Sequence, residues 1–320
     1  SLFVHVPLGV IRMPYHKNLN WRFLRKPQET MNGRPIYIPR GKTLGGTSSV
    51  NAMVYMRGNT LDYDDWAADG NEGWSWNDVK PYFIKAEHNE QFGENEHHGS
   101  GGPLNVTFPN ETSPLERDFV EAAGSLQHPH NPDFNGNSQD GVGQHQVTQK
   151  NGRRWSTAMA YLKPAKNRHN LTVMTNSPVS KVIVKNSRAI GVELPRNNIL
   201  TANTEIVLCA GSILSPKILM LSGIGDIEEL KTHGIEAIHS LPGVGKNLQD
   251  HAATSIMMKT KSRTPWGFSW PKLPKYSFDL FRYILFRKGV FASHLVESGG
   301  FMMTEPNLDR PDIQLVFIPG

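Results

Sequence analysis

Residues 45–51 read Gly-Gly-Thr-Ser-Ser-Val-Asn, a run that combines two glycines with three hydroxyl side chains and an amide. Glycines let a backbone approach a bulky ligand closely, and the hydroxyl and amide groups supply hydrogen-bond donors and acceptors behind it. This combination predicts a loop that holds a phosphate-bearing ligand. A simple turn is the alternative interpretation, because Gly, Ser, Thr and Asn are also common turn residues.

A second stretch with the same kind of chemistry lies further along the chain. The apolar run Ile206–Ala210 predicts a buried strand, which Gly211 breaks. Ser215 and Pro216 then predict the N-cap and first residue of a helix that Gly223 ends. A strand, a glycine turn and a helix in this order is the layout that presents backbone N–H groups to a phosphate.

The elements around these two loops are predicted from short β-branched runs. Residues 170–175, 179–184 and 189–193 predict the strands of a small meander attached to the main sheet. The single cysteine, Cys209, lies in the predicted buried strand, where a thiol is usually a small hydrophobe rather than a nucleophile. One cysteine also excludes an internal disulfide framework and favours a reducing compartment.

Bulk composition narrows the class of protein. A chain of 320 residues with 38% hydrophobic and 20% charged residues is typical of a soluble globular protein with two domains. No window approaches the roughly 18 apolar residues of a membrane span. The sequence therefore favours a globular protein that does not span a membrane.

The net charge of +5 is concentrated in one segment, residues 259–291, which has eight basic residues and one acidic residue interleaved with aromatics. One interpretation is a solvated loop followed by an amphipathic helix whose Phe, Leu and Ile side chains face a core. The other is peripheral contact with an anionic membrane. Nucleic acid is not predicted as a partner, because no binding motif accompanies the charge.

The thirteen histidines do not predict a metal site. His97 and His98, like His128 and His130, lie in Gly/Pro loops without the spacing or thiolate partners of a zinc site. His251 is interpreted as structural. A serine hydrolase is excluded by the lack of a G-x-S-x-G elbow.

The first loop belongs to a longer run, 39–59, that resembles the first signature of the glucose-methanol-choline (GMC) oxidoreductases, flavoenzymes that oxidise alcohols. The run 211–225 resembles their second signature. The resemblance covers essentially the whole chain and is greatest to the choline dehydrogenases and related alcohol dehydrogenases. Further matching motifs lie at 61–67, 73–76, 152–162, 241–251, 296–301 and 310–315.

The resemblance implies an α/β fold, with a Rossmann-like FAD-binding domain and an α+β substrate domain built on an antiparallel sheet. The FAD-binding domain is expected to comprise residues 1–109 and 152–252, and the substrate domain residues 110–151 and 253–320. The chain contains no G-x-G-x-x-G fingerprint. We therefore expect an internal fragment that lacks both ends, with the family's catalytic histidine base beyond residue 320.

By resemblance, the first signature lines the flavin and pyrophosphate of FAD, and three later positions approach its ADP half. In some relatives a histidine at the position of Val50 bonds covalently to the flavin; valine cannot, so FAD is expected to be held non-covalently. The cofactor-binding positions are Thr43, Gly45, Gly46, Thr47, Asn51, Ala52, Met53 and Val54, with Val179, Ala210 and Gly211 at the ADP half.

Glu297 is the candidate substrate residue, since its counterpart in choline oxidases faces the trimethylammonium group. A glutamate oriented by a local turn is the equally open alternative. The implied activity is oxidation of a primary alcohol, choline or similar, to the aldehyde, with electrons passing to a quinone or other acceptor. A cytoplasmic protein with possible peripheral membrane contact is expected. The rival interpretation is a non-catalytic, truncated remnant that at most binds flavin.

Overall fold

The computed structural model describes residues 2–261, 264–267 and 269–320. Arg263 and Phe268 of the basic aromatic segment lie outside the described residues. The helices, in chain order, are α1 (Leu2–His5), α2 (Thr60–Ala68), α3 (Trp76–Ala86), α4 (Pro114–Ser125), α5 (Lys163–Ala165), α6 (Gly211–Leu221), α7 (Ile227–Thr232) and α8 (Leu273–Phe286).

The strands are short and spread along the chain. They are β1 (Phe23–Leu24), β2 (Tyr37–Ile38), β3 (Glu87–Asn89), β4 (Leu104–Val106), β5 (Gly141–Gln144), β6 (Gln149–Lys150), β7 (Arg153–Arg154), β8 (Lys181–Lys185), β9 (Arg188–Leu194), β10 (Asn198–Thr201), β11 (Ile224–Gly225), β12 (His239–Ser240), β13 (Ser298–Met302) and β14 (Ile313–Phe317).

Side-chain caps fix where three of the helices begin. Asn59 and Asp62 form a capping box at the start of α2, and Ser75 and Asp78 form another at the start of α3. Ser113 caps α4 by accepting a hydrogen bond from the second helical residue. These side chains satisfy backbone N–H groups that have no partner inside a helix.

The chain divides into two compact units, and the first comprises Ser1–Leu171 and Thr260–Gly320. Its largest sheet is antiparallel, in the order β14-β13-β5, with Ser298 opposite both Gln144 and Phe317. The smaller pairs are β1 with β2, β3 with β4, and β6 with β7. The predicted combination of helices with an antiparallel sheet is confirmed.

The second unit comprises Thr172–Lys259. Its antiparallel meander has the order β10-β9-β8, and α6 packs beside β8, where the Ser222 Oγ accepts a hydrogen bond from the Val182 N–H at 2.8 Å. The two predicted strands at 179–184 and 189–193 are confirmed as β8 and β9. The third strand is β10, however, and not the predicted 170–175.

Two predicted strands do not form. Residues 170–175 and 206–210 pair with no neighbouring strand in the part of the chain that the structure describes. Val207 is 70% exposed, and Cys209 is exposed rather than buried. The prediction of a buried strand at 206–210 is therefore wrong, because a strand is stabilised by a partner strand that its own sequence does not supply.

Helix α6 also begins earlier than predicted, at Gly211 rather than at Pro216. The Ser215 Oγ accepts from the Ala210 N–H at 3.1 Å, so this side chain secures the residue before the helix instead of capping a helix at its own position. Pro216 lies inside the helix, where its missing N–H removes one backbone hydrogen bond, the one to the Ser212 carbonyl. Gly223 does follow the end of the helix, in the left-handed conformation, as predicted.

Helix α8 does not bury its apolar side chains as predicted. Phe278, Phe281 and Leu285, which share one face, are 62%, 55% and 55% exposed, whereas Asp279 and Tyr283 on the other face are buried. A partly exposed ion pair 2.9 Å long joins Arg282 of this helix to Glu111. Of the helices described, none combines the length and the apolar character that crossing a bilayer requires.

Candidate functional site

The Gly45–Asn51 loop contains a 3₁₀ turn, Gly46–Ser49, that begins with two glycines in the left-handed region. Gly45 has φ +86° and Gly46 has φ +54°. A Cβ atom on Gly45 would lie 2.6 Å from the Ser49 Oγ, but one on Gly46 would meet nothing within 4 Å. The turn therefore requires Gly45 for its own packing, and it leaves the backbone at Gly46 open to an approaching group.

The hydroxyls of this loop hold the loop itself together. The Ser48 Oγ donates to the Gly45 carbonyl at 2.6 Å, and the Ser49 Oγ donates to the Leu44 carbonyl at 2.8 Å. The Thr47 Oγ1 accepts from the Gly41 N–H at 3.2 Å. The prediction that three hydroxyls stand behind the glycines for a ligand is therefore wrong in part, since two of them donate their protons to the loop's own carbonyls.

A neighbouring segment, 154–157, anchors the loop from outside. The Thr157 N–H donates to the Ser48 Oγ at 3.0 Å. The Arg154 Nη1 donates both to the Ser48 carbonyl at 3.1 Å and to the Asn51 Oδ1 at 2.9 Å. Because these bonds come from residues about 100 positions away, the shape of the loop depends on the tertiary fold and not on local propensity alone.

The end of the loop is strained. Met53 is fully buried and has φ +66°, a conformation that costs a non-glycine residue on the order of 1 kcal/mol. Two contacts hold it there: the Asn51 Oδ1 accepts from the Met53 N–H at 3.1 Å, and the Thr148 N–H donates to the Met53 carbonyl at 2.8 Å. Strain of this kind, fixed by surrounding bonds, is common where a backbone is shaped for a ligand.

The structure brings together eight of the predicted cofactor positions on this one segment of the first unit. Thr47 and Asn51 are exposed, whereas the side chains of Val50 and Met53 are enclosed. The half-buried members of the set are Thr43, Gly45, Gly46, Ala52 and Val54.

The other three predicted cofactor positions lie in the second unit. Ala210 and Gly211 are exposed at the N-terminus of α6, and Val179 is half-buried just before β8. A Cβ atom on Gly211 would meet nothing within 4 Å. The first turn of this eleven-residue helix therefore has open space beside its backbone N–H groups, an arrangement that favours an anion.

Glu297 is enclosed, and each of its carboxylate oxygens has a donor from the chain. The Ser113 N–H donates to Oε2 at 2.7 Å and the Ser293 hydroxyl donates to Oε1 at 2.8 Å. Burial raises the pKa of Glu297 to about 7, although these two hydrogen bonds oppose the rise. One donor lies four positions away and the other lies 184 positions away, so both a local turn and the tertiary fold orient this carboxylate. A substrate contact would require one oxygen to exchange its donor.

Two buried imidazoles near Glu297 were not predicted from the sequence. His294 is fully buried, neither of its ring nitrogens has a partner, and burial lowers its pKa to about 3. The His145 Nδ1–H donates to the Val296 carbonyl at 3.1 Å, and its Nε2 has no partner. Both rings are therefore neutral near pH 7 and enclosed, so neither is placed to take a proton from a substrate in this arrangement.

A buried chain of four charged side chains was also missed. The Arg57 Nη2 donates to the Glu87 Oε2 at 2.6 Å, and the Glu87 Oε1 lies 3.0 Å from the His98 Nδ1. The His98 Nε2 lies 2.8 Å from the Asp133 Oδ2. The residues are too far apart in sequence for any spacing rule to connect them. His98 is thus held between two carboxylates, and the described residues contain no cluster arranged to hold a metal ion.

Comparison with known proteins identifies the class to which this site belongs. The model of the GMC oxidoreductase family matches residues 26–253. Since that match covers most of the chain, the chain belongs to the GMC oxidoreductases, which are FAD-binding flavoproteins. The predicted family and cofactor are thereby confirmed.

Individual relatives agree with this class. The chain is 43% identical to an alcohol dehydrogenase (acceptor) of Pseudomonas putida, over 99% of this chain and 58% of that protein. It is 39% identical to an oxygen-dependent choline dehydrogenase of Rhizobium etli, with the same two coverages. An FAD-dependent oxidoreductase from Chaetomium thermophilum superposes with a TM-score of 0.82 at 29% identity, over 94% of this chain and 55% of that one. The chain thus spans less than two thirds of the length of these relatives.

The residues present fit FAD on observations of this chain. The backbone at Gly46 is open, and so is the space at Gly211. Arg154, which bonds to Ser48 and Asn51, places a cation directly beneath the first loop. Free space beside a glycine backbone and buried positive charge favour a pyrophosphate group.

Proposed function

We propose that the protein containing this chain oxidises a primary alcohol, choline or a similar compound, to the aldehyde, with FAD as the hydride acceptor. The observation that carries the proposal is the strained, externally anchored Gly45–Val54 segment with its open backbone at Gly46, in a chain that belongs to the GMC oxidoreductases. The names of the relatives, alcohol dehydrogenase and choline dehydrogenase, support the class of substrate.

The cofactor-binding role is assigned to the positions listed above on the first loop and at the N-terminus of α6. FAD supplies the hydride-accepting chemistry when bound. Gly46 lets the backbone approach the cofactor, Asn51 fixes the end of the loop, and Gly211 leaves the first turn of α6 accessible. Val50 is a buried hydrocarbon with no nucleophilic atom, which supports non-covalent binding.

The test of this function is anaerobic mixing of FAD-loaded protein with choline. Bleaching of the flavin absorbance, with one aldehyde formed per flavin reduced, is the expected result. Bound flavin that stays oxidised with choline and with simple primary alcohols would refute the assigned substrate class. The full-length parent protein is the sample to use, because the chain covers 58% of its P. putida relative.

Glu297 is assigned to the substrate side of the site. A cation beside a shielded carboxylate stabilises its charged form, and this carboxylate is shielded completely. In Glu297→Gln, the KM for choline should rise more than the KM for 3,3-dimethylbutanol, the uncharged isostere. An equal effect on both substrates would mean that Glu297 acts only through the turn that it stabilises.

The electron acceptor is proposed to be a membrane quinone, reached by peripheral contact through α8. Phe278, Phe281 and Leu285 form an exposed apolar stripe, and the nearby Lys275 and Lys288 are exposed cations that complement anionic lipid. Sedimentation with liposomes containing phosphatidylglycerol should carry the protein down at low salt, and Phe281→Ser with Leu285→Ser should abolish this. No binding to anionic liposomes would end the proposal.

A non-catalytic role for the 320-residue chain by itself is the second proposal. Three imidazoles of the first unit are enclosed: His98 lies between carboxylates, and His145 and His294 are buried. A base that takes a proton from an alcohol must reach its hydroxyl. We expect no dye reduction with choline and added FAD from this chain alone, and turnover that flavin removal abolishes would contradict this.

A further inference from the structure

Arg154 carries a buried positive charge without a counter-charge. Its side chain is 1% exposed, and it donates to three neutral acceptors: the Val4 carbonyl at 3.0 Å, the Ser48 carbonyl at 3.1 Å and the Asn51 Oδ1 at 2.9 Å. Its Nη2 is buried and has no partner. Throughout the described chain, no carboxylate oxygen lies within 4.0 Å of this guanidinium.

Such an arrangement is costly unless something else balances the charge. An isolated buried charge is destabilising by several kcal/mol, whereas neutral hydrogen-bond acceptors satisfy only part of a guanidinium. Burial lowers the pKa of Arg154 to about 10, so the side chain is still protonated near pH 7. The cation is therefore maintained at a cost in stability, directly beneath the loop that lines the cofactor.

The surroundings of Arg154 are positive as well. The pKa of His5 is lowered by burial and then by the charges of Arg153, Lys163 and Arg154, in an environment where cations outnumber anions. Burial is the largest cause that lowers the pKa of His294; the Val296 backbone opposes it, and the charges of His145 and Arg154 add to the lowering. One buried cation with exposed cations near it favours an anionic ligand over a neutral one.

We propose that Arg154 is a positioning residue whose buried charge draws the pyrophosphate of the cofactor to the Gly45–Asn51 loop. Since its Nη2 is enclosed, Arg154 acts through the two groups that it holds, the Ser48 carbonyl and the Asn51 side chain, and through its field. The inference rests on FAD as the cofactor and not on which alcohol is oxidised. Its test therefore measures binding, and a failure of alcohol oxidation would leave it standing.

The experiment compares Arg154→Met, Arg154→Lys and Arg153→Met in the 320-residue chain. Arg153 is the matched control because it is adjacent and exposed, and its substitution removes the same charge. The ligands are ADP, which carries the pyrophosphate, and riboflavin, which carries the ring system without phosphate. Affinity is measured by calorimetry at low and at high salt, and circular dichroism melting verifies that each variant is folded.

Arg154→Met should weaken ADP binding about tenfold at low salt, an effect equivalent to about 1.4 kcal/mol, and by less at high salt. Riboflavin binding should change little. Arg154→Lys should remain within about threefold of the unsubstituted chain because it keeps the buried charge. Arg153→Met should also remain within about threefold, because the charge that it removes is exposed and screened by solvent. If Arg154→Met does not fold, Arg154→Lys tests the proposal alone. A loss of ADP affinity greater than about threefold in that variant would then overturn the proposal.

Three further results would overturn it. Equal losses in the methionine and lysine variants, independent of salt, would show that Arg154 only supports the loop sterically. A loss of riboflavin binding with ADP unchanged would mean that the flavin ring, and not the pyrophosphate, is the group attracted. Failure of the unsubstituted chain to bind ADP at all would show that its buried charge recruits no phosphate.

Discussion

Glu87 lies at the centre of the buried cluster of four charged side chains. Its substitution by glutamine tests whether this cluster stabilises the first unit. Its side chain is 0% exposed, and it receives hydrogen bonds from Arg57, His98, Asn89 and the Gly99 N–H. Glutamine keeps the shape but leaves Arg57 without its carboxylate partner and His98 with Asp133 alone. Breaking a buried ion pair by removing one partner costs about 3–5 kcal/mol, so Glu87→Gln should lower the free energy of unfolding by about that amount.

The same cluster predicts a pH dependence. Burial lowers the pKa of His98, but the hydrogen bonds to Asp133 and Glu87 outweigh burial and raise it from 6.5 to about 9. A group whose pKa is raised on folding contributes stability that is fully present below pH 6.5 and is lost as the pH rises through about 9. The difference of about 2.5 pH units corresponds to an upper limit of about 3.4 kcal/mol.

The pKa of Glu87 moves in the other direction. Burial alone would raise the pKa of Glu87, but the hydrogen bonds from His98 and Asn89 and the charge of Arg57 outweigh burial, so the pKa is lowered from 4.5. Its contribution is therefore present above pH 4.5 and is lost as the pH falls below that value. The cluster as a whole should stabilise the fold most between these limits, at mildly acidic to neutral pH.

Urea unfolding of the unsubstituted chain and of Glu87→Gln at pH 6 and pH 9.5 measures both effects. The unsubstituted chain should lose stability between the two pH values, and the variant should lose much less. Glu121→Gln is the control, because this carboxylate is exposed and its Arg117 partner lies 3.6 Å away on the surface. A cost below about 1 kcal/mol for Glu87→Gln, or unchanged stability of the parent chain between the two pH values, would refute the reasoning.

Four further substitutions probe the Gly45–Val54 segment and Glu297. Asn51→Ala removes the acceptor shared by the Met53 N–H and the Arg154 Nη1, and urea unfolding should register a loss of about 2 kcal/mol. Gly45→Ala should lower the melting temperature more than Gly46→Ala, because its Cβ would lie 2.6 Å from the Ser49 Oγ, while Gly46→Ala should weaken FAD in a fluorescence titration. Glu297→Gln should raise the free energy of unfolding at pH 8 but not at pH 5. Folding raises the pKa of the carboxyl from 4.5 to about 7, so the folded state loses stability as the pH rises through this range, and glutamine removes that loss. A destabilised Glu297→Gln at pH 8 would contradict this.

Sequence predicted the features that depend on neighbouring residues. Gly223 was expected to end a helix, and it does so in the left-handed conformation that only local backbone geometry dictates. The strands at 181–185 and 188–194 were predicted from β-branched runs that pair with each other across a short turn. The glycines of the first loop were predicted to expose the backbone, and Gly46 does so.

Features that depend on distant partners could not be predicted in the same way. The run 206–210 has the pattern of a buried strand, but burial requires a neighbouring strand that the pattern cannot specify. The apolar positions of α8 were assigned to a core, whereas Phe278, Phe281 and Leu285 are exposed in the structure. The charge chain joins residues 57, 87, 98 and 133, whose separations carry no periodic signal.

The conformation of the Gly45–Asn51 loop depends both on its own glycines and on distant residues, so substitutions in those distant residues should also affect it. Its conformation is local at Gly45 and Gly46, but its anchors come from the segment 147–157: Val147 bridges to Val54, the Thr148 N–H donates to the Met53 carbonyl, and Arg154 and Thr157 bond to the loop itself. Conservative changes in that segment should therefore alter FAD affinity without contacting the cofactor. Thr157→Val keeps the side-chain volume but removes the hydrogen bond from the hydroxyl to the Gly45 carbonyl, so it should weaken FAD binding. Thr112→Val loses a hydrogen bond far from the loop in sequence and should leave FAD binding unchanged. Equal FAD affinity in both variants would mean that the loop holds its shape without this support.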